Sequence, residues 1–196
     1  MEKKIYLAGG CFWCMEKPFE ETPGVIGVDS GYVNSKIPNP TYEQVSEGDT
    51  DAYEAVEVVY DPAKVSFEDL LNVYWTTINP TQMDGQFNDR GSQYLTGIFY
   101  QSADEKMIAT ESKKILDEAK VFKSPITVEV LPLKNWTRAE EYHQDYYKKN
   151  ATHYNMYSVG SGRKGFLKDQ WKDKPYCPLR RISLEKVKAL QGKSTN

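Results

Sequence analysis

Cysteine and histidine are scarce in this chain, with three and two among 196 residues. An odd cysteine count excludes a fully paired disulfide scaffold. After Cys11-x-x-Cys14 no second close Cys or His pair follows, so a structural zinc site is not expected, nor any other metal or cofactor. Long apolar runs are also missing. The start, Met1-Glu2-Lys3-Lys4, enters an apolar stretch too short for a membrane span or a secretory signal core. A cytoplasmic location is the expectation. Charge of one sign is lacking too: the net charge of −3 leaves no broad basic surface for nucleic acid. Arg180, Arg181, Lys186, Lys188 and Lys193 near the C-terminus read as a solvated tail. There is no internal repeat and no low-complexity linker. Apolar residues at 39% and charged residues at 27% suit an ordinary globular protein, expected to act as a monomer.

What is abundant is tyrosine, at 14 residues, several of them in polar loop-like segments. A loop tyrosine can offer its hydroxyl to a pocket, although most tyrosines merely cover half-exposed surface.

Patterning predicts strands at 3–8, 25–32, 54–60, 95–100 and 126–131. It predicts helices at 11–21, 66–78, 103–119 and 138–149. Ser66-Phe67-Glu68-Asp69 resembles a capping box for the second of these. Polar loops fill 33–50 and 79–93, and loops of that length in a compact domain are usually functional. From Ala151 on, Gly160, Gly162, Gly165, Pro175 and Pro178 suggest an irregular tail. The mixed order points to an α+β two-layer sandwich with a mixed β-sheet, a ferredoxin-like core with extra elements. Residues 1–171 form the expected domain and 172–196 a C-terminal extension carrying Cys177.

Chemistry concentrates at Gly9-Gly10-Cys11-Phe12-Trp13-Cys14. The segment lies at a strand-to-helix turn, where the glycines permit a sharp bend and open space beside the thiol. Unpaired N–H groups and the positive end of the helix dipole favour a thiolate there. A free cysteine is more commonly a small buried hydrophobe, but the glycines and the two flanking aromatics argue for reactivity. Phe12 and Trp13 face different directions, so at least one should border the mouth as an apolar wall.

Gly10-Cys11-Phe12-Trp13 is similar to the signature of the A-type peptide methionine sulfoxide reductases. Further blocks follow in that family's order. They are Asn39-Pro40-Thr41-Tyr42, Tyr53-Glu54-Ala55-Val56 running into Tyr60-Asp61-Pro62, and Gln86-Phe87-Asn88-Asp89-Arg90-Gly91-Ser92-Gln93-Tyr94. Tyr142-His143-Gln144 and Gly160-Ser161-Gly162-Arg163 extend the resemblance, which runs from about Ile5 to Trp171. Singly each block is weak; together they are specific.

The resemblance implies reduction of an S-epimer methionine sulfoxide, free or in a protein, to methionine, as in repair of oxidised proteins. It implies that Cys11 attacks the sulfoxide sulfur and that Glu54 supplies the proton to the oxygen. Tyr42 and Tyr94 match the family's hydroxyl donors, and Asp89 matches its supporting acid. Phe12 and Trp13 match the wall around the substrate methyl, and Tyr146 is a further candidate for it. Cys11 would end as a sulfenic acid, converted by a second thiol to a disulfide that thioredoxin reduces. From pattern alone, Glu54 would be a solvated strand residue, Tyr42 and Tyr94 loop tyrosines, and Asp89 half of a surface pair with Arg90.

The chain departs from the family at Asp51-Ala52-Tyr53, where a Gly-His pair is common, at Asn34-Ser35, and at Ser46, where a Cys is common. The second thiol has three candidates: Cys14, Cys177 and an external thiol. A Cys11–Cys14 bond one turn apart would distort the helix start. Two other readings compete: a thioredoxin-like disulfide oxidoreductase using Cys11 and Cys14, and a non-catalytic module binding native or oxidised methionine.

Overall fold

The structure, a computed structural model, describes residues 1–172. Cys177 and the extension beyond Lys172 lie outside the described residues. The chain runs β1 (Lys3–Gly9), α1 (Phe12–Glu20), β2 (Val25–Val33), α2 (Tyr42–Ser46), β3 (Tyr53–Tyr60) and α3 (Phe67–Trp75). A two-residue ladder, β4 (Gly85–Gln86) with β5 (Asp89–Arg90), and a 3₁₀ turn at Ser92–Tyr94 follow. Then come β6 (Thr96–Tyr100), α4 (Ala103–Glu118), β7 (Glu129–Pro132), β8 (Trp136–Arg138), a 3₁₀ turn at Glu141–His143, α5 (Tyr146–Lys149), α6 (Ala151–Gly160) and α7 (Arg163–Trp171).

Six strands form one mixed sheet in the order β7-β6-β1-β3-β2-β8. Only β6 and β7 pair in parallel; the other neighbours are antiparallel. Side chains alternate across a strand, and β3 shows the consequence. Val56, Val58 and Tyr60 join Ile5 and Leu7 in the main core, against Phe12, Met15 and Phe19 of α1 and Leu70, Leu71, Tyr74 and Trp75 of α3. Ala55 faces the other way, with Tyr6, Ala8, Val33 and Phe99, under Trp136. Glu54 shares the parity of Val56, so its carboxyl enters the helix-covered side. The register pairs Ala8 with Ala55, which sets Glu54 beside the exit of β1.

The expected capping box is present at α3: the Ser66 hydroxyl accepts from the Asp69 N–H and the Asp69 carboxylate accepts from the Ser66 N–H. Thr41 and Gln44 make an equivalent box at α2, inside the segment expected to be loop. Two expectations fail. Residues 138–149 are not one helix: β8 ends at Arg138, and Asp145 adopts a left-handed φ of 54° that only α5 follows. Its N–H donates to buried Glu16 of α1 at 2.9 Å, a tertiary bond that overrides local pattern. Between Ala151 and Trp171 the expected irregular tail is instead two helices. Gly160 ends α6, and Gly162 makes the left-handed turn into α7 with φ 85°. No helix of the described residues is long and apolar enough to cross a membrane.

Candidate active site

The turn that presents Cys11 is braced from two distant segments. Gly10 has φ +78°, and a Cβ on it would come within 2.4 Å of the Gln86 Cβ, so glycine is required there. Gln86 is held in turn, accepting from the Asn79 N–H at 2.9 Å and donating to the Asn79 carbonyl at 2.8 Å. Arg163, only 3% exposed, donates to the Gly9 carbonyl at 2.7 Å and the Thr77 carbonyl at 2.8 Å. Its guanidinium also lies 4.7 Å from the Phe87 ring centroid.

Cys11 is the N-cap of α1 and is 6% exposed. The first helical N–H, of Phe12, donates to Glu54 Oε2 at 3.2 Å instead of to a thiolate. Burial pushes the Cys11 thiol well above its ordinary value; Cys14 and the Glu54 charge act the same way, and only the Tyr157 hydroxyl opposes them. A standing Cys11 thiolate, expected from the helix start, is therefore not the resting state. Desolvation outweighs the dipole.

The same burial raises the Glu54 carboxyl to about 8; the Phe12 N–H pulls it down, while Asp89 and Cys14 push it up. At neutral pH it carries a proton. Oε2 accepts from Phe12, which leaves Oε1 for that proton. Tyr42 and Tyr94 are both raised, first by burial and then by the Glu54 charge; Cys11 acts on each of them. Tyr42 starts α2, and its N–H donates to Glu140 Oε1 at 2.9 Å. Glu140 Oε2 accepts from buried Tyr32 at 2.8 Å. Asp89 accepts a hydrogen bond from Tyr157 and adds its charge to Glu54 and Tyr94.

Aromatic rings line one side. Trp13 stacks on Tyr146, with centroids 3.8 Å apart and planes 8° from parallel. The Trp13 indole N–H donates to His143 Nδ1 at 3.2 Å. His143 is buried, which lowers its pKa and keeps the ring neutral. Phe12 and Tyr42 pack on that imidazole at 4.9 Å and 4.5 Å. Phe12 is fully buried and Trp13 half-buried, so Trp13 is the one at the edge.

Cys14 lies one turn beyond Cys11 and is also buried and free. Its thiol is lowered to about 7, first by the Cys11 S–H and then, against burial, by Arg163. Cys11 itself stands outside the helix, and Pro18 offers no N–H to the Cys14 carbonyl. The first turn is thus less constrained than its spacing suggests.

All the expected residues within the described range thus come together: Cys11, Cys14, Glu54, Tyr42, Tyr94, Asp89, Phe12, Trp13 and Tyr146. Sequence reasoning missed Tyr157, Tyr154, Glu140 and the bracing role of Arg163. The Tyr154/Tyr157 spacing of three is one helical turn, a signal hidden by the neighbouring glycines. Among the described residues one acidic cluster has metal-like spacing, Glu16, Glu20 and Asp145. Lys148 already fills it, at 2.6 Å from Glu20 and 2.7 Å from Asp145.

Comparison with known proteins agrees with this geometry. Residues 3–175 match the family model described as peptide methionine sulfoxide reductase. The peptide methionine sulfoxide reductase MsrA of Bacillus pumilus is 50% identical over 168 residues, covering 86% of this chain and 94% of that protein. MsrA 2 of Staphylococcus aureus is 49% identical over 165 residues, covering 84% and 93%. Among solved structures, reduced Mxr1 of Saccharomyces cerevisiae superposes with a TM-score of 0.70 at 32% identity, covering 76% of this chain and 86% of that one. Methionine sulfoxide reductase A of Corynebacterium diphtheriae gives 0.68 at 36%, covering 76% of each. Mxr1 has also been solved in complex with Trx2. This chain belongs to the peptide methionine sulfoxide reductase family.

Proposed function

We propose that this chain reduces the S-epimer of methionine sulfoxide, free or in proteins, with Cys11 as nucleophile and Glu54 as acid. The observation that carries the reading is Glu54 itself: a carboxyl 2% exposed, raised to about 8, and anchored to the first N–H after the nucleophile. Such a group holds a proton at neutral pH and can deliver it to an oxygen that must be protonated before it leaves, a demand that sulfoxide reduction makes and mere binding does not. The substrate methyl lies against Trp13 and Phe12, with Tyr146 behind Trp13. Tyr42 and Tyr94 donate hydroxyl hydrogen bonds to the sulfoxide oxygen, and Asp89 supports the pocket through Tyr157.

The electrons then balance in two steps. The Cys11 sulfur bonds to the sulfoxide sulfur as the oxygen takes the Glu54 proton. The oxygen passes to Cys11, methionine departs, and the Cys11 thiol proton replaces the one Glu54 gave. The Cys11 sulfenic acid is next attacked by a thiol, and water leaves as the disulfide forms. Cys14 takes that role in our reading. It is the second sulfur within hydrogen-bonding contact of Cys11, and its lowered pKa supplies thiolate. Cys177, the other candidate, lies outside the described residues. Thioredoxin reduces the disulfide, a partnership known for the yeast relative through its Trx2 complex.

Residues 1–171 form the reductase domain and 172–196 an extension. The chain order β1-α1-β2-β3-α3-β6 with spatial order β6-β1-β3-β2 supports a ferredoxin-like core, to which α2, the β4–β5 ladder, α4 to α7, β7 and β8 are additions. A cytoplasmic site of action fits the dithiol chemistry. The test is dithiothreitol-driven reduction of labelled methionine S-sulfoxide and R-sulfoxide by wild type, Cys11→Ser and Glu54→Ala. Wild type is expected to consume only the S-epimer. Full activity in Cys11→Ser sinks the reading.

A further inference from the structure

Cys14 lines a second space besides the Cys11 site. A cavity of about 360 Å³ opens between α1, the end of α3, α6 and α7. Its lining includes Cys14, Lys17, Tyr154, Arg163 and Lys164, and contains no acidic residue. Cys11, Glu54, Tyr42 and Tyr94 take no part in it. The volume suits a small molecule of ordinary ligand size.

Arg163 makes this cavity unusual. It is buried, and its guanidinium donates to two backbone carbonyls and to no carboxylate among the described residues. A buried cation needs a counter-charge. Cys14 lines the same cavity, and Arg163 helps to lower its thiol to about 7, so Cys14 supplies that counter-charge when it ionises. When Cys14 enters a disulfide, that negative charge disappears and Arg163 is left uncompensated beside an open cavity. Lys17, 3.8 Å from exposed Glu21 and 5.9 Å from the Tyr147 ring centroid, and Lys164 add positive charge to the walls. The oxidised form thus calls for an anion at the very sulfur that must be attacked.

We infer that this cavity admits an anionic low-molecular-weight thiol, which reduces the Cys11–Cys14 disulfide at the Cys14 sulfur, a route parallel to the protein reductant. The inference rests on Cys14 being the resolving thiol. Cys14 is the better leaving sulfur, but the cavity exposes Cys14 and not Cys11, so access directs the attack. The incoming thiolate forms a disulfide with Cys14 as the Cys11–Cys14 bond breaks, and Cys11 leaves and takes up a proton. A second thiol attacks the small molecule's sulfur in this mixed disulfide. Cys14 is released as thiolate, opposite Arg163, and the symmetric small disulfide departs. Two thiols are oxidised for each protein disulfide reduced.

The test uses the full chain, oxidised with one equivalent of methionine sulfoxide and mapped by peptide mass. Its reduction is timed with 2-mercaptoethanesulfonate, 2-mercaptoethanol and cysteamine, each rate divided by that thiol's rate on a small reference disulfide. The corrected rate should favour the sulfonate over the amine by about tenfold, and this preference should vanish or invert in Lys17→Glu/Lys164→Glu. An equal preference in both proteins overturns the inference. Absence of a Cys11–Cys14 disulfide in the peptide map overturns the resolving role instead. The cavity is then judged alone: Cys11→Ser is treated with the disulfides of mercaptoethanesulfonate and of cysteamine, and Cys14 adducts are counted. Faster adduct formation with the sulfonate supports an anion-selecting cavity, and faster formation with the amine refutes it.

Discussion

The Phe12 N–H donates to Glu54 Oε2 at 3.2 Å, so the first peptide after Cys11 is tied to the buried carboxyl proposed as the acid. Replacing Glu54 by Gln keeps an acceptor for that bond and removes the acidic proton. Single-turnover reduction of methionine sulfoxide should fall by about 100-fold or more, with little change in thermal stability. Stopped-flow methionine release with melting curves separates the two. A Glu54→Gln rate near wild type contradicts the acid role.

The same carboxyl sets a pH dependence. Glu54 is protonated below about 8 and loses its proton above it. The chemical step should therefore decline as pH rises through about 8, by up to tenfold per unit. The decline should be absent in Glu54→Gln. A wild-type profile still rising at pH 9 contradicts this.

Stability should respond in the same direction. Glu54 and Glu16 are raised by burial to about 8 and about 7 from an ordinary 4.5. In that window the folded state binds more protons than the unfolded one. As far as these groups are concerned, stability is fully present below about pH 4.5 and is lost as pH rises through about 7 and 8. The slope is at most about 1.4 kcal/mol per pH unit for each group. Glu16→Gln should flatten the lower part of it in urea titrations, because the amide binds no proton in this range.

Tyr157 donates to Asp89 and is the group that opposes the rise of the Cys11 thiol. Tyr157→Phe should move the Cys11 titration further upward and slow sulfoxide reduction by about tenfold or more. The readout is the pH profile of Cys11 alkylation in a Cys14→Ser background. An unmoved profile assigns Tyr157 a packing role only.

Gly10→Ala tests the brace. The left-handed backbone and the 2.4 Å approach to Gln86 should together cost at least about 1–3 kcal/mol. Activity should fall further than the folded fraction, since Cys11 follows directly. Equal losses place Gly10 in folding alone.

The strands were legible as short apolar runs bounded by turn residues, β3 being buried on both faces along most of its length, and α3 carries its capping box in four consecutive letters. Cys11, Glu54 and the tyrosines were legible only through blocks that recur in the family. The pattern of Tyr53-Glu54-Ala55 by itself describes a surface acid; register and parity turn it inward. What escaped lies after Arg138. There the helices are short and weakly amphipathic, and their ends are set by tertiary bonds such as the Asp145 N–H to Glu16, which no local window contains. Resting protonation also escaped, because helix position is local and desolvation is not.

The proton on Cys11 has a consequence for survival under oxidative stress. A permanently ionised thiol reacts with any peroxide that reaches it and climbs to irreversible acids. Here the thiol is 6% exposed and held in its neutral form. In its proposed role it becomes a nucleophile only when a sulfoxide brings an oxygen that can take up a proton, which slows the reaction of Cys11 itself with peroxide.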